Sequence, residues 1–192
     1  MTESMFQKIL RHEGGLVNHK FDRGALTNMG VTLATLQRFQ PDATSTDIEN
    51  LTQDQARDVY LELWSESQID RLPNLDDDCK EILFDCYLNG GPRNMGFIIQ
   101  AAINHALHGP TDFENWIDID GYVGAGTRAA LEQLDLGKIT KIDLQVQRAI
   151  YYCNNVLKGC KFGWKQSDDD EPRTNQNAFI KGWLIRAFDL QA

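Results

Sequence analysis

Residues 94–107 carry Phe97, Ile98, Ile99, Ala101, Ala102 and Ile103, apolar on nearly every side of a helical wheel. A helix of this kind cannot keep one face in water and has to be surrounded by other elements. The segment therefore predicts one central helix and demands amphipathic partners to cover it. It follows Asn89-Gly90-Gly91-Pro92, a turn signal in which glycine frees the backbone and proline stops the incoming pattern. In front of that turn, residues 75–88 repeat Cys79, Ile82, Leu83, Cys86 and Tyr87 at helical spacing.

The partners are readable on both sides. Met5, Phe6, Ile9 and Leu10 form an amphipathic stripe that stops at Glu13-Gly14-Gly15. Residues 16–31 mix turn formers with short apolar runs, which predicts a small hairpin or a loop with brief strands. Thr32 is placed to cap a short helix bearing Leu33, Leu36 and Phe39. Thr52-Gln53-Asp54-Gln55 fits a capping box ahead of Ala56, Val59, Tyr60, Leu63 and Trp64. Leu72-Pro73 interrupts the pattern, and residues 108–126 read as loop. Further helices are expected at 126–135, 140–158 and 175–190, with residues 167–172 a solvated acidic loop. The expectation is a mainly α fold of seven or eight helices with a small β-hairpin near the N-terminus.

Charge narrows the function classes. The 192 residues hold 19 basic and 28 acidic groups, a net charge of −9. A dedicated nucleic-acid binder carries a basic footprint, so a nucleic-acid partner is not expected. The acid is concentrated: residues 41–90 hold 13 acidic against 3 basic groups, whereas the two ends are mildly basic. No stretch reaches the about 18 consecutive apolar residues of a membrane span, so stable membrane insertion is not expected. The N-terminus MTESMFQKILRHEGG has early acid and no apolar run. It does not read as a secretory signal, and synthesis in the cytoplasm is expected.

Metal and covalent thiol chemistry find little support. Cys79 and Cys86, and likewise Cys153 and Cys160, are seven residues apart. On a helix such a pair is separated by about 10 Å, beyond the about 7 Å a disulfide spans between Cα atoms. Zinc frameworks use tighter spacing, and His12, His19, His105 and His108 show no metal-helix pattern. Asp118-Ile119-Asp120-Gly121 opens like a calcium loop, but Tyr122 and Ala129 stand where that loop needs ligands. No metal and no cofactor are expected.

The chemistry concentrates near the N-terminus. Glu13 ends a helix and is followed by two glycines, which let the chain leave sharply and clear space around the side chain. The carbonyl end of a helix carries roughly half a negative charge. That disfavours a second negative charge and raises a carboxyl pKa, and burial would raise it further. A carboxylic acid that keeps its proton near neutral pH is what glycosidic cleavage requires. Asp22 lies across the following loop, where a hairpin could return it to face Glu13. Spacing alone is equally satisfied by a solvated helix-end glutamate and a turn aspartate.

The wider pattern favours the catalytic alternative. The segment EGGLVNHKFDRGALTNMGVT resembles the N-terminal signature of glycoside hydrolase family 108, the phage and bacterial N-acetylmuramidases. Leu72-Pro73, Phe84-Asp85 and Leu88-Asn89-Gly90-Gly91-Pro92 resemble further motifs of the family, as does Gln100-Ala101-Ala102. Asp120-Gly121-Tyr122-Val123-Gly124-Ala125-Gly126-Thr127 resembles the D-G-x-x-G-x-x-T of its peptidoglycan-binding segment, and residues 179–186 resemble its closing F-x-x-G-W-x-x-R. The motifs occur in order over nearly the whole chain. Two positions depart from the pattern: Ala25 replaces a second glycine, and Met29 replaces the usual aromatic before Gly30.

The resemblance implies a lysozyme-like helical fold, with residues 1–108 as the catalytic region and residues 109–192 as a peptidoglycan-binding-like region packed against it in one compact unit. It implies Glu13 as general acid, Asp22 as second carboxylate and Thr27 as a water- or sugar-positioning residue. Asn28, Tyr87 and Asn89 become candidates for substrate binding, although Asn89 also suits a helix C-cap. The implied partner is a peptidoglycan glycan strand, cut between N-acetylmuramic acid and N-acetylglucosamine. Action would then lie in the periplasm or wall, after delivery by a holin, a secretion machine or a particle. Two alternatives stand beside this reading: a peptidoglycan-binding or phage structural protein with little turnover, and a chitin-cleaving enzyme.

Overall fold

The computed structural model describes residues 1–13, 17–18, 26–110 and 112–159, with side chains for all of these except 12–13, 17–18 and 154–159. The expected helix at 175–190, the acidic loop at 167–172, Cys160, Trp164, Trp183 and Asp22 lie outside the described residues. The rest is mainly helical with one small sheet, as the apolar periodicity requires. It divides into two compact units between Gln68 and Ile69.

The first unit opens with helix α1 (Glu3–Glu13) and three short strands, β1 (Val17–Asn18), β2 (Leu26–Asn28) and β3 (Val31–Thr32). The strands form an antiparallel sheet in the order β1-β2-β3. Thr27 pairs with both Val17 and Thr32, and Asn28 pairs with Val31. The β2–β3 connection is only Met29-Gly30, both with positive φ (51° and 77°). That is the geometry of a two-residue hairpin turn whose twist matches the strands. Glycine adopts it freely, but methionine does not. Tyr60 holds the turn by donating its hydroxyl to the Met29 carbonyl at 2.9 Å.

Helices α2 (Leu33–Phe39), α3 (Ser45–Glu49) and α4 (Gln53–Ser67) complete this unit. Thr32 caps α2 by accepting from the Thr35 N–H at 3.0 Å. Thr52 and Gln55 form the reciprocal capping box at the start of α4. The short helix α3 was not anticipated from periodicity; with only Ile48 buried, it shows no repeating stripe. Phe6 of α1 meets Tyr60 of α4 edge to face at 6.1 Å, with the Arg57 guanidinium 4.7 Å from the Phe6 ring centroid. Arg57 also pairs with Glu3, whose carboxyl is held below its ordinary pKa mainly by that hydrogen bond. Trp64 is buried, a core residue rather than a sugar platform.

The second unit is built on helix α5 (Asp77–His108), followed by α6 (Ala125–Glu132) and α7 (Lys141–Gly159). The turn expected at residues 89–92 is instead a one-residue break inside α5. Gly91 alone leaves helical geometry, at φ 77° and ψ 178°. Proline has no N–H and a preset φ, so Pro92 can restart a helix at once. The second arm of α5 carries the predicted apolar belt, and Ile98, Ile99, Ala102 and Ile103 are fully buried. Helix α7 packs along α5. Cys79 and Cys86 are buried free thiols, each pushed up to about 12, chiefly by burial. No described helix is long and apolar enough to cross a membrane.

Candidate active site

The candidate residues fall on three pieces of structure. Glu13 is the last residue of α1, where the sequence places it, and its side chain lies outside the described set. Thr27 and Asn28 are consecutive on β2, both half-buried. They point to opposite faces of the strand because side chains alternate. The Asn28 amide donates to the Ile48 carbonyl at 2.9 Å and the Glu49 carbonyl at 3.4 Å. Asn28 therefore ties the strand to the end of α3. Tyr87 and Asn89 belong to the other unit, on the first arm of α5.

Tyr87 is half-buried and stacks on Phe84 one turn earlier, with centroids 6.2 Å apart and planes 11° off parallel. Asn89 is exposed, two residues ahead of the break at Gly91. Its amide nitrogen donates to the Asp85 carbonyl at 2.7 Å and to Asp85 Oδ1 at 2.9 Å. It is thus tied back to its own helix, one turn away, and does not serve as a helix C-cap. The other Asp85 oxygen, Oδ2, pairs with Arg148 Nη2 of α7. The Arg148 side chain is fully buried and donates from Nε to the Tyr152 hydroxyl at 3.0 Å. One continuous polar chain thus runs from the exposed amide of Asn89 to the interior.

A second polar cluster joins two of the sequence motifs. Buried Gln100 donates to Asp120 Oδ1 at 2.8 Å, the Tyr122 carbonyl at 3.1 Å and Thr127 Oγ1 at 3.3 Å. Its own oxygen accepts from the Gly121 N–H at 2.8 Å. Asp120 Oδ1 also accepts from the Tyr122 N–H at 2.8 Å, and these bonds hold the carboxyl below its ordinary pKa, the Gln100 bond foremost. Asp120 is therefore a loop-ordering carboxylate, consistent with reading Asp118–Gly121 as a turn. Gly96 lets the loop approach: a Cβ there would lie 2.1 Å from the Gly121 carbonyl oxygen. Trp116 is part of the same unit's packing, with its indole N–H on the Gly109 carbonyl and Phe113 and His105 against its ring.

Residues 6–91 match the family described as Glycosyl hydrolase 108. A little under half of the chain is thus similar to that family. The matched span begins at Phe6 in the core of α1 and ends at the α5 break, so it contains Glu13, Thr27, Asn28, Tyr87 and Asn89. Among solved structures, the chain is similar to that of Brucella abortus SagA, at 26% identity and a TM-score of 0.66. The match covers 98% of this chain and 92% of that one. No curated protein matches. The similarity is thus to a family of glycoside hydrolases, and the described residues form a mainly helical fold.

Two features of this chain escape sequence reasoning. Arg148 is 63 residues from Asp85, so no local spacing announces their pairing. Arg148 is buried on α7 together with Leu144, Gln145, Gln147 and Ala149, and a polar residue in such a mixed stretch announces no particular partner. The role of Gln100 was equally hidden. Its motif and the Asp120 motif were each recognisable, yet nothing local says that one grips the other. Among the described residues, no cluster of three or more His, Cys, Asp or Glu side chains could hold a metal ion.

Proposed function

We propose that this chain is a glycoside hydrolase that cleaves peptidoglycan at the β-1,4 bond between N-acetylmuramic acid and N-acetylglucosamine, with Glu13 as general acid. The observation that carries the reading is the position of Glu13. It ends α1 within the family-matched span, in the unit that contains the small antiparallel sheet. Helix carbonyls at that end disfavour a negative charge and so favour the protonated carboxyl. Glu13 transfers its proton to the glycosidic oxygen as the bond to the sugar carbon breaks. The positive charge that develops on the sugar is met by the Asp22 carboxylate, and water completes the reaction, regenerating the Glu13 proton. Thr27 positions water or sugar from β2, and Asn28, Tyr87 and Asn89 contact the glycan. The enzyme acts in the periplasm or wall, after delivery from the cytoplasm by a holin, a secretion machine or a particle.

Digestion of purified murein, with products read by mass spectrometry, tests this. The wild-type chain is expected to release fragments ending in reducing N-acetylmuramic acid. Glu13→Gln keeps the side-chain shape and removes the acid, and should slow release by about 10²- to 10⁴-fold. Wild-type rates from Glu13→Gln would defeat the assignment. Binding to sacculi with no soluble product would favour a recognition module, and cleavage of chitin oligomers but not murein would move the substrate class.

A further inference from the structure

The chain of contacts from Asn89 through Asp85 to Arg148 has no ready explanation in stability. Arg148 is fully buried and Asp85 is 28% exposed. Removing a guanidinium from water is costly, and a buried ion pair can often be replaced by apolar residues of similar volume without loss of stability. The guanidinium is not fully satisfied either: Nη1 is buried and has no acceptor among the described residues. What the pair does achieve is orientation. Arg148 Nη2 holds Asp85 Oδ2, and Nε is held by Tyr152. With one oxygen fixed, the carboxylate cannot rotate, and its other oxygen holds the Asn89 amide nitrogen. An exposed asparagine on a helix otherwise samples several rotamers. Here the amide is locked two residues ahead of the α5 break.

We propose that Asp85 and Arg148 are positioning residues that hold the Asn89 amide in the orientation in which it meets the glycan strand. The proposal rests on the reading of Asn89 as a substrate contact. Preorganisation of this kind lowers the ordering cost of binding. Its loss should therefore appear in KM, with kcat little changed if Asn89 binds ground state and transition state alike.

The test uses the full chain and three variants: Asn89→Ala, the double variant Asp85→Leu with Arg148→Met, and the triple variant combining them. Removing both charges together leaves no unpaired buried ion, so the double variant is expected to fold and melt near wild type. Kinetics on purified murein should show KM raised about fivefold for Asn89→Ala, the scale of one lost hydrogen bond. The double variant should reproduce that rise, and the triple variant should be no worse than either. A double variant with wild-type KM, beside an Asn89→Ala variant with raised KM, would overturn the positioning role, as would fully additive effects. Wild-type KM in Asn89→Ala would instead remove the substrate contact on which the proposal stands, leaving the Glu13 assignment to its own test. If the double variant fails to fold, Arg148→Lys decides the matter: one ammonium cannot replace two separated donors, so KM should still rise, and wild-type KM would refute the role.

Discussion

Replacing Gln100 with leucine probes the joint between two motifs that are twenty residues apart in sequence. Leucine preserves the volume and removes every polar contact. The consequences differ by partner. Asp120 is exposed, so water takes the place of the Gln100 amide there. The Tyr122 carbonyl keeps the Gly124 N–H at 2.9 Å and the Thr127 hydroxyl at 3.3 Å. The Gly121 N–H has no such substitute, because its bond to Gln100 is buried. An orphaned buried donor costs about 1–3 kcal/mol, and the remaining bonds add about 1 kcal/mol net. The expected loss is therefore about 2–4 kcal/mol, read as a lower urea midpoint with faster hydrogen exchange at the Gly121 amide. Acid adds a second signature. Gln100 and the Tyr122 N–H hold the Asp120 carboxyl below its ordinary pKa. A carboxyl depressed in the folded state stabilises above its unfolded pKa, and that contribution fades as pH falls through the folded value. The gap between wild type and Gln100→Leu should thus be widest near neutrality and narrow below the usual aspartate range. An unchanged midpoint, or a gap that stays constant from about pH 7 to about pH 3, would refute this account.

Three further outcomes concern the same loop, the hairpin turn and the buried thiols. Gly96→Ala forces a methyl group to 2.1 Å from the Gly121 carbonyl, so the loop must move, and thermal melts should show a loss of about 1–3 kcal/mol. Met29→Gly relieves a non-glycine residue at φ 51° in the hairpin turn and should stabilise by up to about 1 kcal/mol in a urea titration; destabilisation would mean the Met29 side chain contributes more than the backbone strain removes. Cys79 and Cys86, with thiols pushed up to about 12, should resist iodoacetamide in the native protein and react once urea unfolds it, as peptide mapping would record.

The elements that sequence reasoning located were those with strong local causes. The apolar belt of residues 94–107, the Thr52 capping box and the Thr32 cap are each specified within a few residues. The small sheet was legible only as turn formers mixed with short apolar runs over residues 16–31; its Met29-Gly30 turn and its third strand were not, because strands of two residues carry no alternation to read. Helix α3 was missed for the same reason: five residues with one buried side chain present no period. The break in α5 was placed correctly by its glycines and proline, but its size was not. Whether Gly91-Pro92 makes a turn or a one-residue break depends on what the second arm packs against.

The candidate site divides along the same line. Glu13 at a helix end, with glycines behind it, is a property of consecutive residues, and so is the proximity of Thr27 to Asn28. The sequence alone determined these, together with the family pattern and the central apolar helix, because each is a local preference repeated or capped at fixed spacing. Only tertiary structure decided that Asp85 faces Arg148, that Gln100 grips the Asp120 loop, and that the Asn28 amide is committed to α3. Those contacts join residues 20 to 63 positions apart. A buried polar group must find its partner wherever the fold brings one, and no local spacing records where that will be.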